Sequence, residues 1–116
     1  MRIAFDKNVP VGVRRFLTPK HEVWTFNQLK WDPRLGDDQI LEAAEAAGFN
    51  VLVTADQNIK YQQNLSRRRI SLVVLGSNIW PIVQQHGADI VVCIDSSSPG
   101  SWDFVGMGLP QKPRKR

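Results

Sequence analysis

The sequence predicts an α/β fold: a central, mostly parallel sheet of four to five strands with helices on both faces. Three observations predict it. Short apolar runs and helix-patterned stretches alternate in the order β-α-β-α-β-α-β, the signature of a parallel sheet. The run "ISLVVLG", Ile70 to Gly76, is continuously apolar between Ser71 and Gly76, as expected of a strand covered on both faces. "DDQILEAAEAAG", Asp37 to Gly48, carries acids in its first turn, Ala and Leu in its body and Gly at its end, the marks of a crossover helix. A chain of 116 residues without a long linker or internal repeat forms one domain.

The elements follow in order. Arg2–Phe5 is the first strand. "VPVGVRRFL", Val9 to Leu17, reads as a short helix, with Pro10 suited to its first turn and Val9, Val13, Phe16 and Leu17 on one face. "HEVWTF", His21 to Phe26, is the second strand, and "NQLKWDPRLG", Asn27 to Gly36, is a loop punctuated by Pro33 and Gly36. Val51–Thr54 is the third strand, and "QNIKYQQNLSRRR", Gln57 to Arg69, is helical in spacing with a weak apolar face. After the fourth strand, "NIWPIVQQHG" reads as a helix with Pro81 in its first turn. Ala88–Ser96 fits a helical stripe through Ile90, Val91 and Ile94, although its β-branched residues also suit a strand. Trp102–Val105 is expected to be a last, edge strand.

Composition excludes several classes. No stretch approaches the roughly 18 consecutive apolar residues of a membrane span. The first residues lead directly into a strand, without a signal-peptide pattern, so the expected location is cytoplasmic and no membrane partner is expected. Cys93 is the single cysteine, so no intrachain disulfide and no cysteine-based zinc site can form; in "IVVCI" it reads as a small buried apolar residue. His21 and His86 lie in polar, turn-like contexts and are expected to be solvated. The net charge is +4, and four of the fifteen basic residues (Lys112, Arg114, Lys115 and Arg116) crowd the last five positions, leaving eleven to balance eleven acids. Residues 1–108 are therefore read as the domain and 109–116 as a disordered basic tail, either a phosphate-binding arm or a solubilising end.

The chemistry lies in the aspartates. "RIAFDKN" and "VLVTADQN" share one shape: an apolar strand, then Asp, then one residue, then Asn. Sites in open parallel sheets form beyond the carboxyl ends of strands, where Asp6 and Asp56 fall. Asp37 precedes Ile40, Leu41 and Ala44 by three, four and seven residues, which sets it on the buried face of its helix at the end that points to the same rim. Taken singly, each has a structural explanation: Asp37 as a helix N-cap, Asp56 and Asp6 as turn formers. The matched placement of two Asp-x-Asn segments favours a shared site. Converging carboxylates repel unless a cation sits between them, and oxygen-only ligands suit Mg²⁺ or Mn²⁺. Such a site supports phosphodiester hydrolysis.

The stretches "RIAFDKNVP", "GDDQILEAAEAAGFNVLVTADQN" and "YQQNL" resemble the PIN-like domains, the family of toxin–antitoxin ribonucleases and of the carboxy-terminal Mut7 nuclease domain. The resemblance covers about Met1 to Leu75. It implies a three-layer α/β/α fold, a divalent-metal-dependent endoribonuclease, and a role as the toxin held inactive by a small partner. By matching motif, the acidic metal ligands fall on Asp6, Asp37 and Asp56, which would also be the catalytic residues, with Asn8, Thr54 and Asn58 in support. Two departures make the site less anionic: Lys7 stands where the family commonly has Glu, and Asn58 where it often has a second acid. They motivate the alternative of a catalytically degenerate PIN-like protein that binds RNA or a protein.

RNA is the expected partner. Lys7 and Lys60 can neutralise a phosphate, Tyr61 can stack on a base, and Arg67 and Arg68 can hold a backbone, although Tyr61 can equally pack on the sheet and the arginines can close a helix. Trp31 is the tryptophan best placed for an exposed contact, with burial as its default. A small antitoxin-like protein and a second copy of the chain are the candidate protein partners. No glycine-rich phosphate loop follows any strand, which leaves nucleotide phosphoryl transfer without support.

Overall fold

A computed structural model describes residues 1–57 and 65–108. Five parallel strands form one sheet: β1 (Arg2–Phe5), β2 (Glu22–Trp24), β3 (Val51–Thr54), β4 (Ser71–Leu75) and β5 (Trp102–Val105). Their spatial order is β2-β1-β3-β4-β5. Among the described residues the helices are α1 (Arg14–Leu17), α2 (Phe26–Leu29), α3 (Asp37–Ala46), α4 (Trp80–Val83) and α5 (Gly87–Asp95), with 3₁₀ turns at Val11–Val13 and Gln84–His86. The result is the expected α/β fold, a fully parallel sheet flanked by helices on both faces.

Strand alternation divides the core. Ile3, Phe5, Val51, Val53, Val73 and Leu75 point to one face and pack with Val13, Leu17, Val83, Ile90 and Ile94 from α1, α4, α5 and the turn before α1. Ala4, Leu52, Leu72 and Val74 point to the other, against Ile40, Leu41 and Ala44 of α3. Every residue of β3 and β4 is buried, which explains their unbroken apolar sequences. The edge strands β2 and β5 are partly exposed, with Trp24 and Trp102 reaching solvent.

Three local expectations change. The second strand stops at Trp24, because Thr25 leaves it to cap α2: its Oγ accepts the Gln28 N–H at 3.4 Å, and the Gln28 side chain accepts the Thr25 N–H at 2.9 Å. A helical turn thus begins at Phe26, the last residue read as strand, and runs into the stretch read as loop, and Lys30, in left-handed conformation at φ 58°, ends it. His21 is buried rather than solvated, with Nε2 2.9 Å from Asp95, whose second oxygen meets Lys20. Hydrogen bonds from Lys20, then His21, hold the Asp95 carboxyl below the usual range. Trp31 packs edge-on against Phe26 and Phe49, joining the α3-side core. Ala88–Ser96 resolves in favour of helix, realised as α5. The helix expected over Gln57–Arg69 and the basic tail from residue 109 lie outside the described residues, apart from the ends of that helix span.

Among the described residues no helix is long and apolar enough to cross a membrane. Cys93 is half-buried on α5, and burial, then the charges of Asp103 and Asp89, push its thiol upward, so it is not primed as a nucleophile.

Candidate functional site

The strand order reverses between β1 and β3, since β2 lies beyond one and β4 beyond the other. In a parallel sheet this switch point opens a crevice at the carboxyl ends. The residues that close β1 and β3 meet there. Asp6 still belongs to the ladder, donating its N–H to the Val53 carbonyl at 2.8 Å. The register pairs Phe5 with Val53, so Asp6 comes level with Thr54. Both side chains keep the parity of Ala4 and Leu52, which aims them at the α3 face.

Thr54 is fully buried, and its hydroxyl is a junction. It donates to Asp6 Oδ2 at 2.9 Å and accepts the Asp56 N–H at 3.1 Å. The single hydroxyl proton is thereby used on the carboxylate, the shorter partner compared with Asn8 Oδ1 at 3.4 Å. Asn8 Oδ1 accepts the Ala55 N–H at 3.0 Å, which pins the loop after β3 to the loop after β1. Asp6 Oδ1 accepts the Lys7 N–H at 2.7 Å. Asp6 is buried yet satisfied, and each of its oxygens keeps a second lone pair for a further partner.

Asp37 approaches from the opposite layer. It is the first residue of α3, where Gly36 is the N-cap and the Gln39 side chain accepts the Gly36 N–H at 2.8 Å. Capping therefore does not consume the Asp37 carboxylate, as a sequence reading of it as N-cap would require. Burial raises the Asp37 carboxyl above the ordinary Asp range, and the charges of Asp56, Asp6 and Asp38 raise it further, against Lys7. Asp37 thus feels the charges of both Asp56 and Asp6. Lys7 is tied into the same corner, its ammonium donating to the Pro33 carbonyl at 2.8 Å and so tethering the loop that leads into α3.

Asp6, Lys7, Asn8, Asp37, Thr54 and Asp56 are thus brought together. Among the described residues, however, no group of three or more His, Cys, Asp or Glu side chains stands at the spacing to hold a metal ion directly. Arg67 and Arg68 are not part of this corner. Arg68 pairs with Glu45 at 2.8 Å, and Glu45 also accepts the Arg69 N–H at 2.7 Å. Glu45 lies eight residues along α3 from Asp37, about 12 Å at the helical rise, towards the other rim of the sheet. Asn58, Lys60 and Tyr61 lie outside the described residues. Two links went unseen in the sequence: Lys7 to Pro33, and Gln57, whose side chain donates to the Gly76 carbonyl at 2.9 Å and joins the rim loops of β3 and β4. No local motif announces either, because both are made between distant segments.

Replacing Thr54 by Val keeps the shape and removes the junction, leaving Asp6 Oδ2 and the Asp56 N–H without that partner. The expected cost is about 1–3 kcal/mol in denaturant unfolding, recovered largely by Thr54→Ser. For Asp37 the folded chain holds its proton to higher pH than the unfolded chain. The stability this confers is present below the unfolded value and is lost as pH rises through the raised folded value. Asp37→Asn is therefore expected to raise the Tm of the metal-free protein at neutral pH and to lose that advantage in acid; a lowered Tm at neutral pH would contradict the repulsion.

No family model matches the chain, and neither a curated protein nor a solved structure matches it.

Proposed function

We propose that the chain is a divalent-metal-dependent endoribonuclease of PIN-like character, with the acids of the β1/β3 switch point as its metal site. The observation that carries the reading is the electrostatic convergence of Asp37, Asp56 and Asp6, drawn from three distant segments, around the Thr54 junction. Like charges gathered at a strand rim are relieved by a cation. Asp6, Asp37 and Asp56 would hold Mg²⁺ or Mn²⁺. When bound, such an ion polarises a phosphoryl oxygen and lowers the pKa of its water. The chain's own part is positional. Thr54 and Asn8 fix the two strand ends, α3 presents Asp37 with the positive end of its dipole behind it, and Lys7 stands at the edge where a phosphate would enter. The role as toxin of a toxin–antitoxin pair, the antitoxin-like partner and the cytoplasmic setting rest on the resemblance and the sequence reading.

A second reading has its own support. Lys7 beside the acids, and acids that are not at direct ligand spacing, favour a degenerate member of the family that binds RNA or a protein without cutting. Incubating a mixed RNA pool with Mn²⁺ separates the two. The wild type is expected to produce internal cuts, and Asp6→Asn and Asp56→Asn to reduce cleavage at least 100-fold, an order of magnitude typical of losing a group that stabilises transition-state charge. No cleavage by the wild type would remove the nuclease assignment, and equal cleavage by all three proteins would show the assigned site to be wrong.

A further inference from the structure

Among the described residues the sheet ends at β5, which has a strand on one side only. Pairing with β4 uses every second residue of it. The Ser101 carbonyl accepts the Leu72 N–H at 3.0 Å, and the Val105 carbonyl accepts the Gly76 N–H at 2.9 Å. Backbone groups alternate in direction along a strand. Ser101, Asp103 and Val105 therefore face β4, and Trp102, Phe104 and Gly106 turn their N–H and carbonyl groups outward. The alternation runs past Val105, because Val105 and Met107 both enter the α5-side core with Gly106 between them.

β5 lacks the guards that protect many edges. Trp102–Val105 holds no Lys and no Pro, and its register with β4 runs without a bulge from Leu72–Trp102 to Leu75–Val105. Trp102 is 39% exposed and lies on the α3 face with Phe104. The other edge differs: β2 is three residues long, carries Glu22 and turns at Thr25 into the capped α2. Joining β5 of one copy to β2 of the next would build an open chain of molecules, whereas β5 paired with itself closes on a two-fold axis.

The strand's own sequence selects one antiparallel register. Outward-facing residues must pair with outward-facing residues, so the axis passes through a residue matched with itself. An axis at Asp103 sets two like carboxylates directly opposite each other, which is unfavourable. Axes at Trp102, Val105 or Gly106 bring Gly100 or Gly108 opposite an outward-facing residue, and both glycines leave the strand conformation, at φ 79° and 68°. An axis at Phe104 pairs Trp102 with Gly106, Phe104 with Phe104 and Asp103 with Val105, for about six backbone bonds and no like charges opposed. A Cβ on Gly106 would meet nothing within 4 Å, so the place beside it is open to an indole from a second copy.

We propose that the chain forms a two-fold dimer by antiparallel pairing of β5, with Phe104 on the axis and each Trp102 laid across Gly106 of the second copy. The contact engages far fewer than the roughly 20–30 residues a side of a standard interface, so the dimer is a weak one. Sedimentation equilibrium of the full chain between about 10 µM and about 1 mM, which brackets the Kd of a weak complex, is expected to show monomer and dimer in exchange. Trp102→Lys is expected to raise that Kd about tenfold, since the symmetry loses the cross-strand pair twice and the edge gains a charge. Val92→Ser, exposed on α5, is the control expected to leave it unchanged. The register is read separately, in a Cys93→Ser background that removes the chain's own thiol. Trp102→Cys combined with Gly106→Cys sets thiols opposite each other, with Cα atoms about 5.5 Å apart, and mild oxidation is expected to trap a covalent dimer that neither single variant gives. A chain that stays monomeric throughout overturns the proposal. So does an association that Trp102→Lys leaves intact, or a double variant that cross-links no better than either single one.

Discussion

The Thr54 hydroxyl is the constraint on which the candidate site depends. One buried oxygen gives its proton to Asp6 and receives the N–H of Asp56, joining the ends of two adjacent parallel strands. A buried carboxylate without such a donor is costly, and a buried hydroxyl without partners is costly too. Each group therefore makes the other tolerable. Asn8 adds a second clamp through Ala55. The two strand ends are consequently tied together by side-chain hydrogen bonds, the kind of support that holds the groups of a site in place.

Asp37 enters from α3, and its ionisation is opposed by burial and by Asp56, Asp6 and Asp38. The open amide end of α3 and the nearby Lys7 offset part of the repulsion. A divalent ion or a basic group from another molecule would offset the charge around Asp37. Lys7 supplies a single fixed charge, tethered to Pro33 rather than to any of the acids by hydrogen bond, so it tempers the site without filling it.

Much of this was legible in the sequence for identifiable reasons. β3 and β4 are buried on both faces, so their apolar runs are unbroken and easily seen. α3 shows its buried stripe at Ile40, Leu41 and Ala44, and that stripe also fixed the direction of Asp37. What escaped depends on long-range partners. The turn of α2 is set by a capping box of Thr25 with Gln28, a four-residue signal inside a stretch dominated by Pro33 and Gly36. His21 reads as a turn residue until Asp95, 74 residues away, arrives beside it. The Arg67–Arg69 cluster reads as a nucleic-acid contact, yet Glu45 draws Arg68 to the far end of α3. Charge in a sequence has no address until the fold pairs it.

The central claim is that Asp6, Asp37 and Asp56 attract one divalent cation to the β1/β3 rim. Titrating the ¹⁵N-labelled protein with Mn²⁺ and following paramagnetic broadening of the amide signals tests it most directly, since the effect falls steeply with distance from the ion. The account expects Lys7, Asp37, Ala55 and Asp56 to broaden first and together, and Asp6→Asn to abolish that response. Broadening spread evenly over the surface acids, or centred on Glu45 at the opposite rim, would contradict it.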